Sequence, residues 1–303
     1  MAGSSVLITG AAGFIGRATI AHLRAMGAEP VGTDLRSHPS AEDTVLGDLA
    51  DQQFVHTLLR DRSPQVVIHL AGMLPSAARR DPIAATRANI DASCALIGSA
   101  RDAGVRRFVF GSSLGVYGGR FDKRPVSEET PAAPEQIYGA GKLYVEFTGD
   151  LLSTAHFAFS ALRIATVLGE GVTNSASPWR SQVLEAVRSG SEMVVPVPYV
   201  ESAILPMVHV DDIARALVAM ALAESPVRGV FNSPVDSMSV AEMGAMISKL
   251  NPRAKIEAGT RTKTGIPAYL TDRKLTTLLG FERTPLRRHF ENARDSATLS
   301  RRP

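Results

Sequence analysis

Short apolar runs alternate with longer amphipathic stretches along the first half of the chain. The runs are rich in β-branched residues and have the length of strands; they lie at 5–9, 29–34, 65–70, 107–111 and 159–164. Helical patterns separate them, and the clearest occupy 84–103 and 138–153. Strands separated by helices are joined by right-handed crossovers and form a parallel sheet with helices on both faces. The alternation therefore predicts an α/β fold with a doubly wound parallel sheet.

The composition changes after about residue 168. Glycine and proline become frequent and few strands can be recognised, which predicts a smaller, loop-rich cap. The segment 208–223 again has a strand followed by a helix, and we expect it to return to the main sheet. Further helices are predicted at 240–250, 271–279 and 286–297. The predicted division is 1–168 plus about 207–235 for the doubly wound domain and about 169–206 plus 236–303 for the cap.

A glycine-rich turn follows the first predicted strand and precedes a helix. Its sequence is Thr9-Gly10-Ala11-Ala12-Gly13-Phe14-Ile15-Gly16. Gly10 permits a tight turn, Gly13 lets the backbone approach a pyrophosphate at the amino end of the helix, and Gly16 lets the helix lie close to the strand. We predict a dinucleotide-binding loop, in which Phe14 and Ile15 also lie at the cofactor.

Acidic residues follow the next two apolar segments. Asp34 ends the second predicted strand, where its carboxylate can accept hydrogen bonds from both hydroxyls of an adenosine ribose and repel a 2′-phosphate. Arg36 could pair with such a phosphate, but Asp34 favours NAD over NADP. Asp48, which precedes Leu49, could reach an adenine amino group or could cap a helix, and the sequence leaves both open.

Tyr138 and Lys142 are four residues apart and lie on one face of a predicted helix. A phenol titrates near pH 10, and a neighbouring ammonium favours its ionised form, which a general base for an alcohol proton requires. Ser113, just after the predicted strand 107–111, could donate a hydrogen bond to the substrate oxygen. On spacing alone, an exposed helical pair explains Tyr138 and Lys142 equally well.

Charge and composition argue against several other classes of protein. The 33 basic and 30 acidic residues give a net charge of +3, and residues 281–303 account for this excess, so no basic nucleic-acid-binding face is expected. The single cysteine, Cys94, excludes an intramolecular disulfide. The seven histidines lack paired metal-ligand spacing, which argues against a metal site. Without a leader or an apolar stretch near 18 to 20 residues, we expect a cytoplasmic protein that does not enter the membrane.

Together these features resemble the extended short-chain dehydrogenase/reductases, also called the NAD-dependent epimerase/dehydratase family. The resemblance covers most of the chain and rests on 9–16, Asp34, Gly47-Asp48-Leu49, His69-Leu70-Ala71-Gly72, Asn89, Ser112-Ser113, Val116-Tyr117-Gly118, 138–142, Leu162-Arg163 and His209-Val210-Asp211-Asp212. It implies a Rossmann domain with a smaller C-terminal substrate-binding domain, NAD as cofactor, and a homodimer formed through two long helices. It also implies a catalytic triad of Ser113, Tyr138 and Lys142, in which Lys142 holds the nicotinamide ribose, and it places Leu70, Ala71, Gly72 and Asn89 at the cofactor.

The resemblance leaves the reaction open, because family dehydrogenases, 4-epimerases and dehydratases all begin with proton removal by the tyrosine and hydride transfer to the nicotinamide. Dehydratases have an acidic pair where this chain has Leu114-Gly115. Nucleotide-sugar enzymes typically have a diphosphate-binding Arg at the position of Leu205 and an Asn within the segment 164–166. We therefore predict oxidation of a secondary alcohol on a small polar substrate, such as a sugar, sugar acid or hydroxy acid. The alternative is a nucleotide-sugar 4-epimerase or reductase with the same triad.

The segment 170–181 is similar in character to the caps of family dehydrogenases that act on small hydroxy acids. Arg180 in this segment could bind a carboxylate or phosphate, or could be a solvated residue at a helix start. The candidate substrate contacts are Ser113, Thr166, Asn174, Arg180 and Ser181. A catalytically silent NAD-binding regulator is a third alternative, which the complete triad disfavours.

Overall fold

The computed structural model describes residues 5–41, 43–119, 124–172 and 177–299. Within these ranges the chain forms twelve strands and eleven α-helices. The strands are β1 Val6–Thr9, β2 Val31–Asp34, β3 Val45–Leu46, β4 Val66–His69, β5 Arg107–Ser113, β6 Ala158–Ile164, β7 Thr166–Leu168, β8 Met193–Tyr199, β9 Ile204–His209, β10 Gly229–Asn232, β11 Asp236–Ser239 and β12 Ala254–Arg261. The helices are α1 Phe14–Ala25, α2 Gln52–Arg62, α3 Pro75–Arg80, α4 Pro82–Thr86, α5 Ala92–Asp102, α6 Ile137–Leu152, α7 Trp179–Ser189, α8 Val210–Leu222, α9 Val240–Leu250, α10 Arg273–Leu279 and α11 Leu286–Leu299.

The main sheet contains seven parallel strands of the described chain, in the order β10-β6-β5-β4-β1-β2-β3. The side chains of strand β1 point alternately into two hydrophobic cores. Val6 and Ile8 pack with α1 and α8 on one face, and Leu7 packs with α2, α5 and α6 on the other. All four residues of β1 are buried, as expected for a strand covered on both faces. The prediction of a doubly wound α/β fold is confirmed.

The predicted helices of the first half are present with small shifts. The pattern at 138–153 corresponds to α6. The pattern at 84–103 corresponds to α4 and α5, which are joined by the π-helical turn Arg87–Asp91. This turn contains Asn89, whose side chain is buried. Single π turns inside longer helices are often associated with functional sites.

The cap contains more strand than the sequence predicted, so the expectation of few strands is wrong. Strands β8 and β12 form a parallel pair, and β11, β9 and β7 form a three-stranded sheet. Pro196 and Pro198 lie within β8, while Val195 and Val197 point into the core of the cap. Each strand of a two-stranded sheet has a free edge, where the missing proline N–H breaks no ladder hydrogen bond.

The expectation that 208–223 returns to the main sheet is wrong for its strand. Strand β9 lies between β7 and β11, whereas β10 is the strand that joins the main sheet beside β6. Helix α8 does pack on the main sheet, where Ile213 and Leu217 share a core with Ile20 of α1. A strand-then-helix pattern indicates neither the partner of the strand nor its sheet. The predicted domain boundaries stay a prediction.

Among the residues whose structure is described, no helix combines the length and the apolar character that a membrane span requires.

Candidate active site

The glycine loop lies at the carboxyl edge of the main sheet, between β1 and α1. Gly10 has a φ of 69°, and a Cβ there would lie 2.7 Å from the backbone nitrogen of Ala71. A Cβ at Gly16 would overlap the carbonyl oxygen of Gly10. Gly13 is the N-cap of α1, and no described side chain caps the helix there. The amino end of α1, which carries Phe14 and Ile15, therefore presents backbone N–H groups, which suit a pyrophosphate.

Asp34 lies against this loop. Its carboxylate accepts hydrogen bonds from the backbone N–H groups of Ala12 (3.1 Å) and Arg36 (3.2 Å), so its position at the end of β2 is fixed. The Arg36 side chain is exposed. Asp34 remains partly exposed, and its role at a ribose diol stays a prediction.

Asp48 and Leu49 lie after β3. The Asp48 carboxylate accepts a hydrogen bond from the Ala50 N–H group (2.9 Å) and remains exposed, whereas Leu49 packs partly against the core. The N-cap of α2 is Asp51, which accepts hydrogen bonds from Gln53 and Phe54. The helix-cap alternative for Asp48 is therefore wrong, and its place near the adenine stays a prediction.

The loop after β4 passes directly beside the glycine loop. The N–H groups of Leu70 and Ala71 donate to Thr9 Oγ1 at 3.2 and 3.3 Å. Asn89 accepts from the N–H group of Met73 (2.7 Å) and donates to its carbonyl oxygen (3.0 Å). A Cβ at Gly72 would lie 2.9 Å from Asn89 Oδ1. Asn89 therefore fixes the backbone of the loop that forms one wall of the site.

His69 is a buried residue of the same wall. Its ring nitrogens lie 2.6 Å from Thr9 Oγ1 and 2.9 Å from Ser93 Oγ. Burial, together with the charge of Lys142, lowers the pKa of His69 to about 3. The imidazole is thus neutral near pH 7 and holds Thr9, whose hydroxyl accepts hydrogen bonds from the neighbouring loop.

Ser113 and Tyr138 are brought together by two glycines. Ser113 is the last residue of β5, and Tyr138 lies in the first turn of α6. A Cβ at Gly139 would overlap the carbonyl oxygen of Gly115, so the two backbones touch. A Cβ at Gly115 would lie 3.4 Å from Ser113 Oγ and 3.9 Å from Tyr138 Cδ1. The hydroxyl and the phenol ring therefore border the same small space.

Lys142 lies one turn after Tyr138 and is 5% exposed. Its Nζ donates to the carbonyl oxygen of Gly111 (2.7 Å) and lies 5.7 Å from the centroid of the Tyr138 ring. Burial lowers the pKa of Lys142 to about 8, and Glu146 acts in the opposite direction. An ammonium has three donors, so Lys142 can donate to a bound ligand as well.

The electrostatics of Tyr138 differ from the sequence expectation. Burial raises the pKa of Tyr138 to about 12, and the charge that acts to lower it is that of Arg180. The spacing of Tyr138 and Lys142 instead predicted this role for Lys142 and a lowered pKa for Tyr138. The difference has a physical cause, because the phenol is surrounded by protein and desolvation disfavours its ionised form.

A buried ionic network lies beneath these residues, and sequence analysis assigned it no role. Glu146 and Arg163 are 3% and 5% exposed, and Arg163 Nη2 lies 2.7 Å from Glu146 Oε2. Ser112 Oγ donates to Glu146 Oε1 (2.5 Å), and Arg163 Nη1 donates to the Tyr117 hydroxyl (2.7 Å). A signal was present in the sequence, since Glu146 follows Lys142 by one helical turn and Arg163 interrupts an apolar strand.

The candidate substrate contacts have different positions. Arg180, in the first turn of α7, is partly buried, and its charge interacts with both Tyr199 and Tyr138. Thr166 begins β7 and is partly buried. Ser181 Oγ donates to the carbonyl oxygen of Gly169 (2.7 Å) and accepts from the Val172 N–H group (2.8 Å), so it braces a loop. Asn174 lies outside the described residues.

A family model described as the NAD dependent epimerase/dehydratase family matches residues 6–232. The chain belongs to this family. The resemblance predicted from the sequence is therefore confirmed.

UDP-glucose 4-epimerases are among the relatives of this chain. That of Azospirillum brasilense is 31% identical over 192 residues, which cover 59% of this chain and 55% of the relative. That of Mycolicibacterium smegmatis is 36% identical over 149 residues, or 45% and 47% of the two chains. The chain thus spans about half the length of the curated relatives it matches.

Two solved structures extend the comparison over nearly the whole chain. MoeE5 in complex with UDP-glucose and NAD has a TM-score of 0.80 and 28% identity, covering 98% of this chain and 99% of that one. L-threonine dehydrogenase from Phytophthora infestans has a TM-score of 0.87 and 18% identity, covering 98% and 100%. The second likeness shows the fold alone.

Replacing Glu146 with Ala should destabilise the protein by about 3–5 kcal/mol, because it leaves the Arg163 guanidinium buried without its carboxylate. Urea unfolding followed by circular dichroism measures this loss. Asp43→Ala is the matched control, since it removes an ion pair between Arg24 and an Asp43 side chain that is 88% exposed. The control should lose less than about 1 kcal/mol. Equal losses in the two variants would show that the buried pair has no special role.

Proposed function

We propose that this protein is an NAD-dependent oxidoreductase that oxidises a secondary alcohol of a small polar substrate. The observation that carries the proposal is the convergence of Ser113, Tyr138 and Lys142 at the edge of the sheet where the glycine loop also lies. A hydroxyl donor, a phenol and an ammonium around one space suit removal of a proton from an alcohol.

The residues at the sheet edge fit NAD. The glycine loop leaves room for a pyrophosphate at the amino end of α1, and Asp34 offers a fixed carboxylate to the adenosine ribose. Lys142 can donate to the nicotinamide ribose while it keeps its hydrogen bond to Gly111. When bound, NAD supplies the hydride acceptor for the alcohol carbon.

Residues of the chain itself bind the substrate oxygen and accept the proton of the substrate hydroxyl. Ser113 donates a hydrogen bond to the substrate oxygen, and the Tyr138 phenolate oxygen accepts the hydroxyl proton. Because burial favours the neutral phenol, positive charge is needed to make it a base near neutral pH. Arg180 supplies such a charge from the cap, and Lys142 is the second cation beside the ring.

Arg180 also suggests the chemical class of the substrate. Its guanidinium lies near Tyr138, and the fork of N–H donors on a guanidinium matches a carboxylate. A substrate whose alcohol faces Tyr138 would then place an acid group at Arg180. A sugar acid or a small hydroxy acid has both groups, and it fits this arrangement better than a neutral alcohol.

A nucleotide-sugar 4-epimerase or reductase is the second candidate. The names of the relatives, which are UDP-glucose 4-epimerases, favour it. The cap argues against it, because Leu205 is 1% exposed and packs in the same core as Trp179 and Val195. No charge can reach a diphosphate from that position, so Arg180 or Arg261 would have to bind the diphosphate instead.

We further propose that two copies of the chain associate through α5 and α6. Tyr144, Phe147 and Leu151 form an apolar stripe along α6, and they are 58%, 69% and 85% exposed. Beside this stripe, α5 presents the small, partly buried residues Ala95 and Gly98, which permit close packing. An exposed apolar stripe on a regular helix indicates a protein contact.

The substrate class can be tested with purified protein, NAD and a panel of sugar acids, hydroxy acids, aldoses and UDP-sugars. We expect stoichiometric NADH, detected by its near-ultraviolet absorbance, with the acids, and a decrease in kcat of about 10²–10⁴-fold for Tyr138→Phe. A flat absorbance trace, together with interconversion of UDP-sugar isomers detected by chromatography, would support the second candidate and reject the first.

Two substitutions separate the effect of the Arg180 charge from the effect of its planar guanidinium group. Arg180→Gln removes a charge that lowers the pKa of Tyr138, so the rise of kcat/KM with pH should move to higher pH. Arg180→Lys retains the charge but loses the fork of N–H donors. The pH profile of kcat/KM should therefore resemble that of the wild type, while KM of the variant increases. If neither variant changes the profile or KM, Arg180 has no part in the site.

The proposed dimer predicts a change of mass in solution. Phe147→Asp places a charge within the exposed stripe and should convert the dimer to a monomer in analytical ultracentrifugation. Leu278→Asp is the control, because Leu278 is 58% exposed on α10, away from α5 and α6. A wild-type monomer, or a Phe147→Asp dimer of unchanged affinity, would contradict the proposal.

A further inference from the structure

Three side chains that commonly bind metals meet where helix α8 begins. One potential ligand atom from each of His209, Asp211 and His289 lies within 4.8 Å of the other two. His209 is the N-cap of α8, Asp211 lies in its first turn, and His289 projects from the C-terminal helix α11. The two imidazole rings are stacked with 3.9 Å between their centroids. None of the three belongs to the triad or to the glycine loop.

The ring of His289 is held as a metal-bound histidine usually is. Its Nε2 lies 2.7 Å from Asp212 Oδ2, and Asp212 is 1% exposed. Asp212 is itself fixed, because its other oxygen accepts hydrogen bonds from the Thr284 N–H group (3.0 Å) and from Arg215 (2.9 Å). Donation from Nε2 to this carboxylate leaves the Nδ1 lone pair as the ligand atom. A carboxylate behind a histidine is the usual outer shell of a zinc ligand.

To bind one ion, the two imidazoles must leave their stacked arrangement, because a metal lies in the plane of each imidazole that binds it. His209 Nδ1 lies 3.3 Å from Asp211 Oδ2, and the Asp211 side chain is 63% exposed and able to rotate. Zinc bonds of about 2.0–2.2 Å require ligand atoms about 3.3 Å apart in a tetrahedron. The ligand atoms lie within 4.8 Å of one another, so side-chain rotation must bring some of them closer by up to about 1.5 Å.

The local charge also suits a divalent cation. The Asp211 and Asp212 carboxylates outweigh the Arg215 guanidinium by one negative charge. Two imidazole nitrogens and one carboxylate oxygen form a donor set typical of Zn²⁺, with water in the fourth position. His22 on α1 is near enough for its charge to interact with that of Asp211.

We propose that His209, Asp211 and His289 bind one Zn²⁺ ion, which connects the C-terminal helix α11 to the start of α8. The sequence argued against zinc because its histidines have no paired spacing. His289 follows His209 by 80 residues, and only the fold brings the two rings together. This inference is independent of the reaction proposed above, and its test does not require activity.

The experiment is a titration of the untagged, chelator-treated full-length protein with Zn²⁺ by calorimetry, accompanied by thermal unfolding with and without the ion. We expect one Zn²⁺ per chain and a higher Tm. His289→Gln keeps an N–H donor for Asp212 but removes Nδ1, and His209→Asn keeps a helix-capping acceptor but removes the imidazole. Each should weaken binding by at least the 10–100-fold that loss of an outer-shell partner typically causes.

His56→Gln is the matched control, because His56 is an exposed histidine on α2. It should bind Zn²⁺ as the wild type does. The circular dichroism spectra of all variants should match, which separates loss of a ligand from loss of the fold. The proposal is overturned if the wild type shows no saturable one-to-one binding, or if folded His289→Gln and His209→Asn bind with wild-type affinity.

Discussion

The ion pair between Glu146 and Arg163 connects the elements on which the candidate site is built. It ties α6 to β6, and through Ser112 it also reaches β5. A buried charge separated from its partner is strongly destabilising, so the pair favours the register of α6 in which the two charges meet. Tyr138 lies about two helical turns before Glu146, and this register places its ring above the end of β5. The geometry of the candidate site thus depends on a buried contact beneath it.

Burial shifts the titration of three neighbouring groups toward their neutral forms. The pKa of His69 is lowered to about 3, that of Lys142 is lowered to about 8, and that of Tyr138 is raised to about 12. Desolvation explains all three directions. Arg180, on α7, opposes this effect at Tyr138, so a residue outside the main sheet influences the pKa of the phenol.

The main sheet and the glycine loop could be predicted because local rules determine them. Strands covered on both faces are apolar throughout, Gly10 has a positive φ, and Gly16 lies against the carbonyl oxygen of Gly10 within the same short segment. The cap strands could not be predicted, because the prolines of β8 argue against a strand unless its free edge is known. The approach of Arg180 to Tyr138 and of His289 to His209 depends on tertiary packing between elements distant in sequence. The candidate triad could be predicted only in part. The four-residue spacing of Tyr138 and Lys142 suggested it, but the tertiary contact between Gly115 and Gly139 is what brings Ser113 and Tyr138 together.

The order of strands in the main sheet affects how the chain can fold while it is being synthesised. Strand β10, with the fully buried residues Phe231 and Asn232, joins the sheet only after the chain has passed through β8 and β9 of the cap. Until then β6 is an edge strand, and its unpaired backbone groups can pair with another polypeptide. A nascent or truncated chain that ends before β10 is therefore prone to aggregate, although it already contains the glycine loop, Ser113, Tyr138 and Lys142. The nucleotide-binding half of this protein cannot be separated by a single cut.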